Sequence, residues 1–152
     1  MDEEGESTIV ASFAKNSREM ICVGISLWQG KRRLFVRLYA QIPEAKQPVP
    51  TKEGVTLPVE QYQALLEGVR ALASAGGKEV VTAKIPKTQS RQVWVGANLY
   101  KEIPLLYIRT YAAFAGSQEL KPAKQGVSIR AELYPKLLEA VEKLGKALEE
   151  KA

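Results

Sequence analysis

The chain has 152 residues and a formal net charge of +5, with 45% hydrophobic and 26% charged residues. This composition is typical of a folded protein with one ordinary domain or two small ones. The sequence contains no histidine and a single cysteine, Cys22. These counts exclude a disulfide scaffold, nearly all zinc sites and catalysis by Ser/His or Cys/His pairs, and we expect no cofactor.

The charge is unevenly distributed. The first six residues, MDEEGE, hold four acids, so the rest of the chain carries +9, which favours a polyanionic partner. No apolar run is long enough to span a bilayer, and the start lacks the basic residues of a secretion signal. We therefore expect residues 1–7 to be an acidic disordered N-terminus, no membrane partner, and an intracellular location: cytoplasm or nucleoid in a prokaryote, nucleus in a eukaryote.

The first half of the chain predicts four strands followed by a helix. TIVASFAK has strand-like residues, MICVGISLW alternates up to the turn signal QGK, and RLFVRLYA alternates again. A loop, QIPEAKQPVPTKEG, leads into a short strand, GVTL. Apolar residues in PVEQYQALLEGVRALA then recur at helical spacing. Pro58 suits the first turn of this helix, and Gly76 and Gly77 end it.

The second half repeats the first at an offset of 72 positions without a gap. The matched pairs include Val23 and Val95, Gly24 and Gly96, Arg37 and Arg109, and Tyr39 and Tyr111. The elements recur as VVTAKI, VWVGANLY, LLYIRTYA, GVSI and a helix from about Ala131, which lacks a closing glycine pair and is predicted to be longer. The sequence thus predicts an α+β protein of two tandem units, 8–76 and 80–152, with a linker at 77–79.

Each unit carries an arginine between two aromatic residues. Because alternate strand residues share a face, Phe35, Arg37 and Tyr39 lie together, as do Tyr107, Arg109 and Tyr111. The intervening aliphatic residues should face the helix. Such an aromatic face can simply stabilise a sheet. Its retention through a duplication, on a basic body, favours a second interpretation, in which rings stack on unpaired bases and cations neutralise phosphates.

These motifs resemble a known family. LWQGKRRLFVRLY followed by KEGVTLPVEQYQALLEGV is similar to the core of the transcriptional coactivator positive cofactor four (p15) family, whose members bind single-stranded DNA. LYKEIPLLYIRTY followed by KQGVSIRAELYPKLLEAV resembles it more loosely. The resemblance implies units of four antiparallel strands and a helix that pair through their helices. Here both units would form that pseudo-twofold pair within one chain. The purine-rich-element binding and Whirly proteins are similar duplicated single-strand binders.

The resemblance also implies a binding surface. Trp28 and Tyr100 occupy the aromatic stacking position before the turn, and Lys31 and Arg37 match basic DNA-contacting positions. The full set of predicted nucleic-acid-binding residues is Trp28, Lys31, Arg33, Phe35, Arg37, Tyr39, Lys52, Tyr100, Lys101, Tyr107, Arg109, Tyr111 and Lys124.

The two copies depart unequally from the family pattern. Gln29 replaces a basic residue, Glu53 and Gln125 stand where the family has lysine, and residues 102–104 replace the Gly-Lys turn in the second copy. We therefore expect the first copy to bind better around its turn.

The sequence predicts a protein that is not an enzyme and that binds single-stranded DNA, largely without sequence specificity, as a transcriptional coactivator or other DNA-transaction factor. The chain shows no phosphate-binding glycine loop and no metal-ligand cluster. Two alternatives stay open: an RNA-binding regulator that uses the same face, and a protein-interaction scaffold that has lost nucleic-acid binding. The expected partners are single-stranded DNA or RNA and the transcription machinery, and the chain acts as a pseudo-dimeric monomer or a homodimer.

Overall fold

The computed structural model describes residues 6–113 and 119–150, apart from the side chains of Glu6 and Trp28. The first unit contains β1 (Glu6–Ala14), β2 (Glu19–Trp28), β3 (Lys31–Ala40), β4 (Val49–Pro58) and α1 (Tyr62–Ala71). The second contains β5 (Val80–Thr88), β6 (Arg91–Tyr100), β7 (Ile103–Ala113), β8 (Leu120–Arg130) and α2 (Tyr134–Glu150). Short 3-10 helices cover Val59–Gln61, Leu72–Ser74 and Ala131–Leu133. The predicted α+β class and the two tandem units are confirmed.

Each unit is a separate four-stranded sheet in which neighbouring strands are antiparallel and follow chain order. The fourth strand is longer than predicted: β4 begins at Val49, inside the predicted loop, and β8 extends well beyond GVSI. After α1, Gly76 and Gly77 adopt positive φ angles of 60° and 77° that favour glycine. The second helix is the longer one, as predicted, with 17 residues against 10 in the first.

The sequence predicts that the first unit begins at residue 8. β1 begins at Glu6, inside the segment assigned to the acidic N-terminus. Residues 1–5, which form most of that segment, lie outside the described residues.

The inner faces of the two sheets form one continuous core. Leu34 and Val36 on β3 and Ile108 on β7 are almost completely buried, as their alternation predicts. The same cluster includes the apolar stripes of both helices, namely Leu65, Leu66, Val69 and Leu72 in α1 and Leu137, Ala140, Val141 and Leu144 in α2. Burial of this aliphatic surface is the main favourable term in folding.

Each helix covers mainly the sheet of the other unit. Helix α1 packs on β5 and β6, and α2 packs on β1 and β2. At the first of these contacts the Thr82 hydroxyl donates to the Gly68 carbonyl oxygen over 2.7 Å. Edge strands β4 and β8 lie beside each other, and each helix follows its edge strand after only a three-residue 3-10 turn. The chain therefore crosses directly to the neighbouring sheet. The sequence interpretation instead placed each helix on the sheet of its own unit.

The helices also contact each other across a pseudo-twofold axis. The Tyr62 hydroxyl donates to the Val141 carbonyl oxygen over 2.7 Å, and the Tyr134 hydroxyl donates to the Arg70 carbonyl oxygen over 3.3 Å. Arg70 forms a salt bridge of 3.5 Å with Glu142, the residue at its own position in the second unit. The predicted pairing of the units through their helices is confirmed. The duplication allows opposite charges at a position where a symmetric dimer would place two identical residues.

Candidate nucleic-acid interface

The outer face of the first sheet carries a groove of about 620 Å³, which we call the first groove. The aromatic and basic residues of β3 form its floor: Phe35, Arg37 and Tyr39 all line it because they alternate along one strand. The remaining lining residues come from the neighbouring strands: Ser7, Ser26, Pro50, Thr51, Lys52 and Thr56. The groove therefore combines two rings, two cations and several hydroxyl groups on one open surface.

Glycines in the neighbouring strands make room for these side chains. Phe35 lies opposite Gly24 in the β2–β3 ladder, and Arg37 lies opposite Gly54 in the β3–β4 ladder. A methyl group on Gly24 would lie 2.6 Å from the Phe35 Cζ. Phe35 is thus pressed flat onto the sheet and is only 4% exposed. The Arg37 guanidinium is held by a 2.9 Å hydrogen bond that it donates to the Thr51 carbonyl oxygen.

Replacing Gly24 with alanine is expected to destabilise the protein by about 1–3 kcal/mol, because overpacking displaces neighbouring groups. The new methyl group would overlap both the Phe35 ring and the Thr8 backbone carbonyl oxygen, and a backbone atom cannot swing aside. Urea denaturation measures the change. Ser26→Ala, two residues along the same face, is the matched control and should change the free energy of unfolding by less than about 0.5 kcal/mol. Equal stability of the two variants would contradict the close contact.

Burial alters two ionisable groups of this face. Cys22 lies opposite Arg37, and desolvation raises the pKa of its thiol to about 11. It is 1% exposed, so it is a neutral packing residue at neutral pH, as the sequence predicts for a small strand residue. Burial, and then the nearby Cys22, raise the pKa of Tyr39, while Arg37 opposes that rise. Tyr39 therefore remains neutral at physiological pH, in the state suited to stacking.

The outer face of the second sheet is built from the same ladder but is occupied differently. Trp94 stands at the position of Cys22 and stacks on Tyr111, with ring centroids 3.8 Å apart and planes inclined by 10°. Lys84 Nζ lies 4.4 Å from the centre of the Trp94 ring. Tyr107, with a pKa raised to about 12 chiefly by burial, lies opposite Gly96. Trp94 and Tyr111 therefore already stack on each other, and the Tyr107 ring is tilted by 38° against Tyr111 with centroids 6.5 Å apart.

A smaller groove of about 360 Å³, the second groove, lies beside this stack. It is lined by Glu79, Val80, Val81, Trp94, Ala97, Asn98, Tyr107 and Tyr111. The Asn98 side-chain oxygen is buried and has no hydrogen-bond partner among the described residues. Arg109 is fixed as Arg37 is, by a 2.9 Å hydrogen bond to the Ala123 carbonyl oxygen. The lining of the second groove contains no lysine or arginine, in contrast to the first.

Residues 15–68 match the model of the Transcriptional Coactivator p15 (PC4) family. This segment runs from the β1–β2 turn to the middle of α1 and contains β3 with its aromatic and basic face. The resemblance predicted from the sequence is confirmed for the first unit.

The solved structure of a PC4 homolog from Burkholderia pseudomallei is also similar. It shares 19% sequence identity over a match that covers 42% of this chain and 93% of that chain, with a TM-score of 0.38. Comparison with curated proteins gives no match.

Within the described ranges, neither helix is long and apolar enough to cross a membrane. The same part of the chain has no group of three or more His, Cys, Asp or Glu residues that could hold a metal ion.

The residues that the PC4 resemblance marks as binding residues are not all in one place. The first groove brings together Phe35, Arg37, Tyr39 and Lys52. Arg33 is half-buried on the same face, and Lys31 is exposed at the tip of the β2–β3 hairpin. The Trp28 side chain lies outside the described residues.

In the second unit the predicted residues are more scattered. Tyr107 and Tyr111 line the second groove, and Lys124 is exposed on β8. Tyr100 and Lys101 lie at the tip of the β6–β7 hairpin, where Tyr100 is 59% exposed and Lys101 Nζ is 5.4 Å from its ring centre. Lys101 and Glu102 adopt positive φ angles of 51° and 68°, so this turn keeps the geometry of Gln29 and Gly30 without a glycine.

Three residues that face these surfaces are missing from the PC4-based prediction. Trp94 belongs to the second face, as its alternation with Gly96 and its place opposite Arg109 in the β6–β7 ladder could have indicated. Lys87 reaches the first groove from the other unit, where its Nζ lies 3.5 Å from Thr56 Oγ1. Arg91 follows it across the β5–β6 turn. No sequence signal marks Lys87 and Arg91, because their position depends on how the two units pair.

Proposed function

We propose that this protein binds single-stranded nucleic acid, DNA in particular, along the first groove and largely without sequence specificity. The observation that carries the proposal is the joint presence of Phe35, Arg37, Tyr39 and Lys52 on one open sheet face. The match of residues 15–68 to a transcriptional coactivator family supports a role on DNA strands exposed during transcription or related transactions.

The chemistry of the groove suits an unpaired strand. Tyr39 is half-buried, so one surface of its ring is available, and each base stacked on such a ring contributes about 1–3 kcal/mol. Arg37 and Lys52 line the same groove, and their positive charges would neutralise phosphates there. Because every base has a flat face and every nucleotide a phosphate, this arrangement recognises single strands without reading their sequence.

Fluorescence anisotropy of labelled oligonucleotides tests the proposal. The protein is titrated into oligothymidine, a duplex of equal length and oligouridine, each at several salt concentrations. We expect preference for the single strands over the duplex and a slope of log affinity against log salt of about −0.7 for each phosphate contact. Tighter binding of oligouridine would favour the RNA-binding alternative. Failure to prefer either single strand over the duplex would reject the proposal and favour a protein-interaction scaffold.

Arg37→Ala is expected to weaken oligothymidine binding about 10- to 100-fold, because a hydrogen bond to a charged group contributes about 1.5–3 kcal/mol and each 1.4 kcal/mol is a factor of ten. The salt slope should become shallower by about 0.7. Lys146→Ala, which removes one exposed positive charge from α2, is the matched control and should leave both quantities nearly unchanged. An equal loss in the two variants would indicate attraction by net charge and not by the groove.

A further inference from the structure

The β5–β6 hairpin of the second unit contacts the first unit beside the first groove. Gln61 Nε2, in the 3-10 helix that follows β4, donates to the Pro86 carbonyl oxygen over 3.0 Å. The next residue, Lys87, donates from Nζ to Thr56 Oγ1 over 3.5 Å. Thr56 lines the first groove and stands opposite Phe35 in the β3–β4 ladder. A lysine of one unit is therefore hydrogen-bonded to a residue that lines the groove of the other.

This lysine belongs to a concentration of positive charge. Burial lowers the pKa of Lys87, and the guanidinium groups of Arg33, Arg91 and Arg37 lower it further. Among the described residues, none of these four side chains forms a salt bridge with a carboxylate. We call Arg33, Arg37, Lys87 and Arg91 the cation cluster. Placing four like charges together opposes folding, and a bound anion would relieve this repulsion.

The second face provides an internal comparison because every residue has a counterpart 72 positions away. Arg37 corresponds to Arg109, and Lys87 corresponds to Lys15. The other two positions differ: Arg33 corresponds to Leu105, and Arg91 corresponds to Glu19. The counterpart set thus carries a net charge of +1, against +4 for the cation cluster. At these four matched positions the first face therefore carries more positive charge than the second.

We propose that Arg33, Arg37, Lys87 and Arg91 form a composite phosphate site at the junction of the two units. It holds a backbone phosphate of a single strand lying in the first groove, and it makes that groove the stronger of the two. The role of this site in holding a single strand rests on the proposed function, whereas the phosphate site itself does not. Its chemistry also suits a free polyphosphate, which is the other source of the same ligand group.

Lys87→Met in the full chain tests the site, with Lys15→Met at the matched position on the other side as the control. The first measurement is the thermal midpoint with inorganic tripolyphosphate, compared with sodium chloride of equal ionic strength. We expect tripolyphosphate to stabilise the wild type and Lys15→Met, and to stabilise Lys87→Met much less. Without ligand, Lys87→Met should unfold at the same temperature as the wild type or higher, because it relieves the repulsion. If Lys87 only stabilised the fold, Lys87→Met would instead unfold at a lower temperature than the wild type.

The second measurement is oligothymidine affinity against salt. Lys87→Met should bind about tenfold more weakly, with a slope shallower by about 0.7, while Lys15→Met stays within about twofold of the wild type. Arg91→Glu is a second variant, at an exposed position outside the core, and should show losses in the same direction that are at least as large, because it reverses a charge. Agreement between the two variants would separate loss of the site from damage to the fold.

The outcomes separate the site from the proposed function. If tripolyphosphate stabilises the wild type through Lys87 but oligothymidine does not bind, the phosphate site stands with a free polyphosphate as ligand and the proposed function fails. If oligothymidine binds but Lys87→Met and Arg91→Glu change neither affinity nor slope, the function stands and the composite site is overturned. Equal losses in Lys87→Met and Lys15→Met, or no effect of tripolyphosphate on the wild type, also overturn it.

Discussion

A chain that ends after Gly77 is expected to fold only as a homodimer. Helix α1 covers β5 and β6, and the inner face of β1 and β2 is covered by α2. An isolated first unit would therefore expose the aliphatic face of its own sheet, including Ile21 and Val23, which are fully buried in the full chain. A second copy can supply the missing helix, because the units share the same pattern of apolar residues.

Sedimentation equilibrium and thermal unfolding at several protein concentrations measure this effect. We expect a dimeric mass, and a midpoint that rises with concentration because unfolding releases two chains. Arg70 would then face a second Arg70 in place of Glu142, so the dimer should lack the salt bridge of the full chain. The full chain is the control, and as a pseudo-dimeric monomer it is expected to give a midpoint independent of concentration. A truncated unit that is folded, monomeric and independent of concentration would contradict the helix exchange.

Leu144→Ala is expected to lower the free energy of unfolding by about 2–5 kcal/mol, since truncating a fully buried leucine leaves a cavity that relaxes only in part. Leu144 is 0% exposed and lies in the stripe of α2, the helix that packs on the first sheet. Guanidinium denaturation gives the loss. Leu148→Ala, one turn further along the same helix at a half-buried position, is the control and should cost distinctly less.

Hydrogen exchange in the Leu144→Ala variant identifies the sheet that α2 stabilises. We expect the amides of β1 and β2 to exchange faster than in the wild type, although they lie more than 100 positions away in the sequence. Faster exchange confined to β5–β8 would mean that α2 supports its own sheet, contrary to the observed packing.

The two grooves differ more than their common ancestry suggests. In the first, Cys22 is small and leaves space above the sheet, whereas Trp94 at the matched position fills that space by stacking on Tyr111. The two sets also differ in charge at two matched positions, where Arg33 corresponds to Leu105 and Arg91 corresponds to Glu19. Duplication within one chain permits this divergence, because a homodimer must present two identical faces.

The sequence by itself determined the repeat, the order of elements and the two faces of each strand. Periodicity is a local property: alternation places Arg37 beside Phe35 and Tyr39, and helical spacing identifies Leu65 and Leu137 as core residues. The short turns and the left-handed Gly30 position could likewise be predicted, since turn geometry depends on neighbouring residues.

Only the tertiary structure decided which surfaces meet. The exchange of α1 and α2 between sheets follows from the adjacency of β4 and β8, which neither strand encodes alone. The same pairing brings Lys87 to Thr56, which lines the first groove, and places its charge near those of Arg33 and Arg37, which are far away in the sequence. The pairing of the two units depends on long-range burial of complementary apolar faces, and no local sequence pattern specifies it. The cation cluster forms because this pairing brings residues of the two units together.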